Sequence, residues 1–190
     1  YALNAIKGVG GSVIEDIVEE REQRGPFANL KDFITRTAEK EVNKRVLENL
    51  IKAGALDGLE GTRKQFMSVY VQILDRISKD KKSNLAGQLS LFDIAEESQK
   101  EEFDIRMPQV GEYEKDMLLA LEKEVLGIYL SGHPLESYQA LWQKYITNNT
   151  NDFMLDEDTG STQVEGKYEA IVGGLIANKT VKYTKNDKIM

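Results

Sequence analysis

Between Ser12 and Ile77 the apolar residues come in four bursts at three- and four-residue spacing, and glycine turns at Gly8–Gly11, Gly25, Gly54, Gly58 and Gly61 punctuate them. That spacing puts each burst on one face of a short helix. A chain broken so often cannot form one long coiled coil; it must fold its helices back on each other. The first burst is Val13, Ile14, Ile17 and Val18, with Ser12 as the expected N-cap, Glu15 three residues on and a stop at Gly25-Pro26. The second is Leu30, Phe33 and Ile34 behind Asn29. The third is Val46, Leu47, Leu50 and Ile51, ended by Gly54. The fourth is Phe66, Val69, Tyr70, Ile73, Leu74 and Ile77 behind Thr62. The expectation is a compact all-α domain over residues 1–77, in a chain that is mainly α.

Past Ile77 the pattern lapses. Residues 78–111 are polar and read as a linker. It returns over 112–146 as Met117, Leu118, Leu121, Val125, Leu126 and Ile128, breaks at Gly132 and Pro134, and resumes through Leu141 and Tyr145. A polar loop over 147–162 follows. In the tail, 167–190, Tyr168, Ala170 and Val172 alternate against Glu169 and Ile171, which predicts strands, irregular here because the segments around Val172, Ile176 and Val181 have unpaired edges. The chain opens without a methionine and ends in a strand-like pattern at Ile189-Met190, so it reads as part of something larger. The absence of cysteine excludes disulfides and thiolate metal sites, and no apolar run reaches the ~20 residues of a membrane span, so no membrane role is expected. The net charge of -7 is unevenly spread: residues 1–82 carry 15 Lys+Arg against 13 Asp+Glu, residues 83–166 carry 5 against 17, and residues 167–190 carry 5 against 2. A surface for a polyanion therefore belongs at the two ends of the chain.

"IKGVGGSVIEDIV" carries the first chemistry. Hydrophobic-x-Gly-hydrophobic-Gly ahead of an amphipathic helix resembles the helix-hairpin-helix motif. Gly8 and Gly10 can adopt positive φ and carry no Cβ. Amides around Val9, Gly10, Gly11 and Ser12 can then point outward at a helix start, where the dipole also favours an anion. A phosphate of double-stranded DNA fits, with Lys7 adding a point charge, and such contacts ignore base sequence. "LIKAGALDGLEGTRKQ" repeats the pattern less faithfully. Gly58 sits in its turn, Arg63 and Lys64 open the next helix, Lys44 and Arg45 open the preceding one, and Asp57 would repel phosphate. The bland alternative is that both are simple interhelical turns.

"QLSLF", Gln88, Leu89, Ser90, Leu91 and Phe92, stands between the lysine-rich "SKDKKSNLA" and the acidic "DIAEESQKEE". It resembles the pentapeptide by which bacterial replication proteins bind the sliding clamp. Leu91 and Phe92 are adjacent apolar anchors, and Gln88 offers both a donor and an acceptor.

In order, "YALNAIKGVG", "VNKRVLENLIKAGALDGL", "GQLSLF" and "EKEVLGIYLSGHPL" resemble the C-terminal region of the bacterial replicative DNA polymerases of the C family, the alpha subunits of DNA polymerase III. The resemblance implies a tandem helix-hairpin-helix domain holding duplex DNA behind the active site, a clamp-binding linker, further helices and the first strands of an incomplete OB-fold. It implies single-stranded DNA binding only once that OB-fold is completed. It also implies a cytoplasmic protein at replication forks on the nucleoid. The parent enzyme would use Mg²⁺ held by acidic residues upstream of Tyr1. No cofactor, metal or catalytic residue is expected in this piece: Asp156, Glu157 and Asp158 read as a solvated acidic turn, His133 as closing a helix end, and Trp142 and Tyr145 as core. A DNA-repair accessory protein with two hairpins, and an interaction scaffold that never touches DNA, remain open readings.

Overall fold

The structure, a computed structural model, describes residues 3–38, 40–85, 106–157, 159–162, 164, 166 and 169–181. The chain divides into two compact units, Tyr1–Ser131 and Gly132–Met190. The first unit opens with a 3₁₀ turn, Leu3–Ala5, and holds five helices: α1 (Gly11–Arg24), α2 (Leu30–Thr37), α3 (Lys44–Lys52), α4 (Arg63–Leu85) and α5 (Lys115–Leu126). Helix α4 is the spine, with α2 and α3 packed on it; α1 packs on α2, and α5 on α3.

The four apolar bursts supply the core. Leu30, Phe33, Ile34, Leu47, Leu50, Ile51 and Phe66 are essentially inaccessible to solvent. Each such side chain contributes about 1.5–3 kcal/mol by leaving water. Val9 and Ile6 extend the same core towards the first glycine turn, and Val125 of α5 joins it.

Most helix starts follow their local chemistry. The Asn29 side chain accepts from the Asp32 amide at 2.9 Å. Asn43 accepts from the amides of Arg45 and Val46 at 3.0 and 3.1 Å. Thr62 and Gln65 cap α4 reciprocally, the Gln65 amide donating to Thr62 Oγ1 at 3.2 Å and the Thr62 amide to Gln65 Oε1 at 2.9 Å. Ser12 is the exception. Helix α1 begins two residues earlier, with Gly10 as its N-cap and no side-chain cap. The Gly10 carbonyl already accepts from the Ile14 amide, so Ser12 lies inside the first turn. Helix α4 also runs past Ile77 to Leu85. Lys, Asp and Ser in that stretch need no apolar face to continue a helix already nucleated on the core.

The stretch 112–146 is shared between the units. In α5 the buried residues are Leu119, Leu121, Glu122 and Val125, while Met117 is exposed, as is Ile128 just beyond its end. The second unit holds a 3₁₀ turn (Glu136–Tyr138), α6 (Gln139–Tyr145) and a further 3₁₀ turn (Thr150–Phe153). The strand-like tail forms no strand among the described residues, in keeping with its expected irregularity in this chain. The segment 169–181 meets only Thr147 and Asn148 by hydrogen bonds there: the Thr147 amide donates to the Ile171 carbonyl at 3.0 Å and the Ile171 amide to Thr147 Oγ1 at 2.9 Å. An alternating pattern without a partner ladder leaves its amides to water, and Val172, Leu175 and Ile176 stay exposed. Gly173 lies close against the Trp142 ring, where an added Cβ would come within 2.7 Å. Tyr145, expected in a core, is exposed. His133 sits at a start rather than an end: its Nδ1 accepts from the Leu135 amide at 3.2 Å, and its amide donates to Glu136 at 2.9 Å. Asp156 closes its turn on Thr159, as a solvated acidic turn should.

Candidate nucleic-acid interface

The first glycine turn is built from the core outwards. Val9 is buried, and its amide is tied to the Ile6 carbonyl at 3.2 Å. It anchors the turn and does not face a ligand, contrary to the expectation for its amide. Gly8 has φ +71, which an ordinary residue adopts only with strain. The residue before it is fixed as well, since Asn49 Nδ2 donates to the Lys7 carbonyl at 2.6 Å. Gly10 is extended, with φ -73 and ψ 153, so positive φ is needed at Gly8 alone of the pair.

The result is an exposed helix start. Gly10, Gly11 and Ser12 are exposed, and the amides of Gly10, Gly11, Ser12 and Val13 have no acceptor among the described residues. These are the orphan donors of a helix N-terminus, and the dipole adds partial positive charge. Lys44 and Arg45, at the start of α3, are exposed and form no salt bridge among the described residues. A Cβ placed on Gly8 would lie 3.6 Å from Arg45 Nε, so the α3 basic pair borders the turn. The starts of α1 and α3 open onto one shallow concavity of about 670 Å³, lined by Gly8, Gly10, Lys40, Asn43 and Lys44, with Glu41 at its side. Lys7, expected beside the phosphate, instead donates from Nζ to the Glu124 carbonyl at 3.1 Å, at the end of α5. There it complements that helix's negative pole.

The second glycine turn is used differently. Helix α3 ends in a Schellman arrangement, with the Ala55 amide on the Leu50 carbonyl and the Gly54 amide on that of Ile51, both at 3.0 Å. Gly54 has φ +75, and a Cβ on it would strike the guanidinium of Arg63. Arg63 was expected to reach phosphate. It is buried. It pairs with Asp57 through Nη2 at 2.7 Å, with Glu122 through Nη1 at 3.1 Å, and donates to the Lys52 carbonyl at 3.2 Å. Asp57 is thus neutralised from within. Glu122, fully buried, accepts further from the amides of Leu130 and Ser131 at 2.7 and 2.9 Å. Burial alone would raise the Glu122 carboxyl; the Ser131 and Leu130 amides, then Arg63, outweigh it and hold it below the usual carboxylate range.

The amides that would cradle an anion on α4 are taken. Glu112 Oε2 accepts from the Arg63 amide at 2.9 Å and Oε1 from the Lys64 amide at 3.1 Å. Lys64 Nζ lies 5.8 Å over the Tyr113 ring. Gly58 is exposed, and a Cβ there would meet nothing. Sequence reasoning missed Asn49, Glu112 and Glu122. Gln88, Leu89, Ser90, Leu91 and Phe92 lie outside the described residues.

Residues 1–66 match the helix-hairpin-helix motif family. Over 139 residues, 73% of the chain, it is 39% identical to the DNA polymerase III subunit alpha of Borreliella burgdorferi, covering 12% of that protein. It is 38% identical over 138 residues to the corresponding subunit of Chlamydia pneumoniae, covering 72% of the chain and 11% of the relative. It is 33% identical over 186 residues to that of Mycobacterium leprae, covering 98% of the chain and 15% of the relative. The chain thus spans only a small part of the length of the relatives it matches. Among the described residues, no helix is long and apolar enough to cross a membrane.

Proposed function

From the premise that this chain is homologous to a segment of DNA polymerase III alpha subunits, we propose that it holds duplex DNA by its backbone, through the first hairpin, during replication. The observation that carries this reading is the exposed start of α1, where four amides lack an acceptor among the described residues beside the exposed Lys44 and Arg45. Amides and point charges at that spacing suit a phosphate and read no base sequence.

The test is Gly10→Val. The Gly10 backbone is extended and a Cβ there would lie 3.7 Å from Ser12 Oγ, so the fold accommodates a side chain while phosphate approach is blocked. Affinity for plain duplex should fall about tenfold, which is ~1.4 kcal/mol, with stability changed by less than about 0.5 kcal/mol. Unchanged affinity in a folded variant sinks the reading and leaves the scaffold alternative.

The same reading gives "QLSLF" to the sliding clamp, with Leu91 and Phe92 as the anchors. A free peptide of these residues should bind a bacterial clamp, and replacing both anchors by alanine should abolish it. The tail from Lys167 would begin an OB-fold that engages single-stranded template once its remaining strands are present. Polymerisation and its Mg²⁺ would belong to the part of the enzyme outside this chain. The site of action would be replication forks on the nucleoid.

A further inference from the structure

We propose that Glu112 is an internal stand-in for phosphate: its carboxylate closes the second hairpin in cis, and that hairpin becomes a second phosphate-binding point only when Glu112 lets go. The inference rests on the reading of the first hairpin as a backbone-phosphate site, and extends it to a site that is occupied.

The geometry is that of a bound oxyanion. Two oxygens of one carboxylate span two consecutive amides at a helix start, Oε2 on Arg63 at 2.9 Å and Oε1 on Lys64 at 3.1 Å. Oε1 also accepts from the Tyr113 amide at 2.8 Å. The Gln65 amide is already served by Thr62 Oγ1, so Glu112 takes the two first-turn donors that the local cap leaves over. The equivalent amides of α1 have no acceptor among the described residues. One anion site of the pair is therefore open and the other filled.

The filling segment is fastened but not buried. Gln65 Nε2 donates to the Pro108 carbonyl at 2.9 Å, Met107 packs partly into the core, and Lys64 lies over Tyr113. Glu112 itself is exposed. A carboxylate held at the surface by amides can exchange for a phosphate without a charge being drawn out of the core.

The experiment compares Glu112→Ala and Glu112→Gln with Glu114→Gln in the whole 190-residue chain. Glu114 is two residues away, exposed, and makes no side-chain cap, so it reports the loss of one negative charge alone. Inorganic phosphate is titrated while the backbone amide resonances of Arg63 and Lys64 are followed. Saturable shifts of those two resonances in Glu112→Ala, absent in the unaltered chain and in Glu114→Gln, are the expected result. Plain-duplex affinity should rise several-fold in the same variant, with the salt dependence steepened by about 0.9 in log-log slope, one further phosphate. Should Glu112→Ala fold poorly, Glu112→Gln retains the shape and one acceptor oxygen, and a weaker saturable shift is expected there. No phosphate-dependent shift at Arg63 or Lys64 in either Glu112 variant overturns the proposal. The phosphate titration is independent of the first hairpin, so loss of duplex binding through Gly10→Val does not decide it.

Discussion

Two glycine turns of nearly the same spelling do opposite things. Around Gly8 to Gly11 the chain leaves a helix start uncovered, with exposed amides and the Lys44–Arg45 pair alongside. After Gly54 to Gly61 the amides at the start of α4 and the Arg63 guanidinium are spent within the molecule. Gly54 makes room for a guanidinium, Arg63 serves two carboxylates, and Glu112 covers the amides of α4. A glycine turn feeding a helix is a way to present donors; whether it presents them outward depends on what the rest of the chain puts against it.

The contrast can be broken most forcefully at Glu122. Glu122→Ala leaves Arg63 without one buried partner and orphans the Leu130 and Ser131 amides. Breaking a buried pair from one side costs about 3–5 kcal/mol, to be read by urea unfolding. A cost under about 1 kcal/mol would mean the second hairpin is not held by this network. The same carboxylate sets a pH dependence. Its folded-state pKa is depressed, so its stabilisation is full above the ordinary carboxylate range and drains away as pH falls beneath that range. Acid unfolding of the unaltered chain should show this loss, and Glu122→Ala should lack it.

A smaller effect separates the two glycines themselves. Gly54→Ala combines a positive φ with displacement of Arg63, for a cost of about 2–3 kcal/mol. Gly8→Ala strains φ in the same way but asks only Asn49, 3.2 Å from the added Cβ, to yield, for about 1–2 kcal/mol. Thermal unfolding ranks them. Duplex binding should rank them the other way, with Gly8→Ala the more damaging. Equal costs in both assays would erase the distinction between the turns.

The finest cut is in salt dependence. Lys44→Ala and Arg45→Ala should each lower the log-log slope of duplex binding by up to about 0.9, while Arg63→Met should leave the slope alone if it folds. A slope that responds to Arg63 and not to Arg45 would reverse the assignment of the two hairpins.

Much of the first unit was legible because its signals are local. Asn29 and Thr62 stand beside the amides they cap, and the bursts from Val13 to Ile73 name the core directly. Ser12 misled because a glycine carbonyl closed the first turn before it. Arg63 misled because its partner Glu122 lies far along the chain. Yet Glu122 falls on the apolar stripe of α5 beside Leu119 and Val125, and a carboxylate in that position demands a buried cation. Glu112 gave no such sign, since it bonds to backbone amides and any acidic residue reads alike there. The tail alternates like a strand, but alternation does not supply a neighbouring strand to pair with.

The Glu122 carboxylate also defines a load path. The amides of Leu130 and Ser131 are the last grips of the first unit on the chain before Gly132. Tension applied beyond that point reaches Glu122 first, then the guanidinium of Arg63, then Asp57 and the Lys52 carbonyl at the end of α3. A pull from the rest of the chain is thus met by the buried charges of the second hairpin and, further back along α5, by the Lys7 amide on the Val125 carbonyl at 2.9 Å.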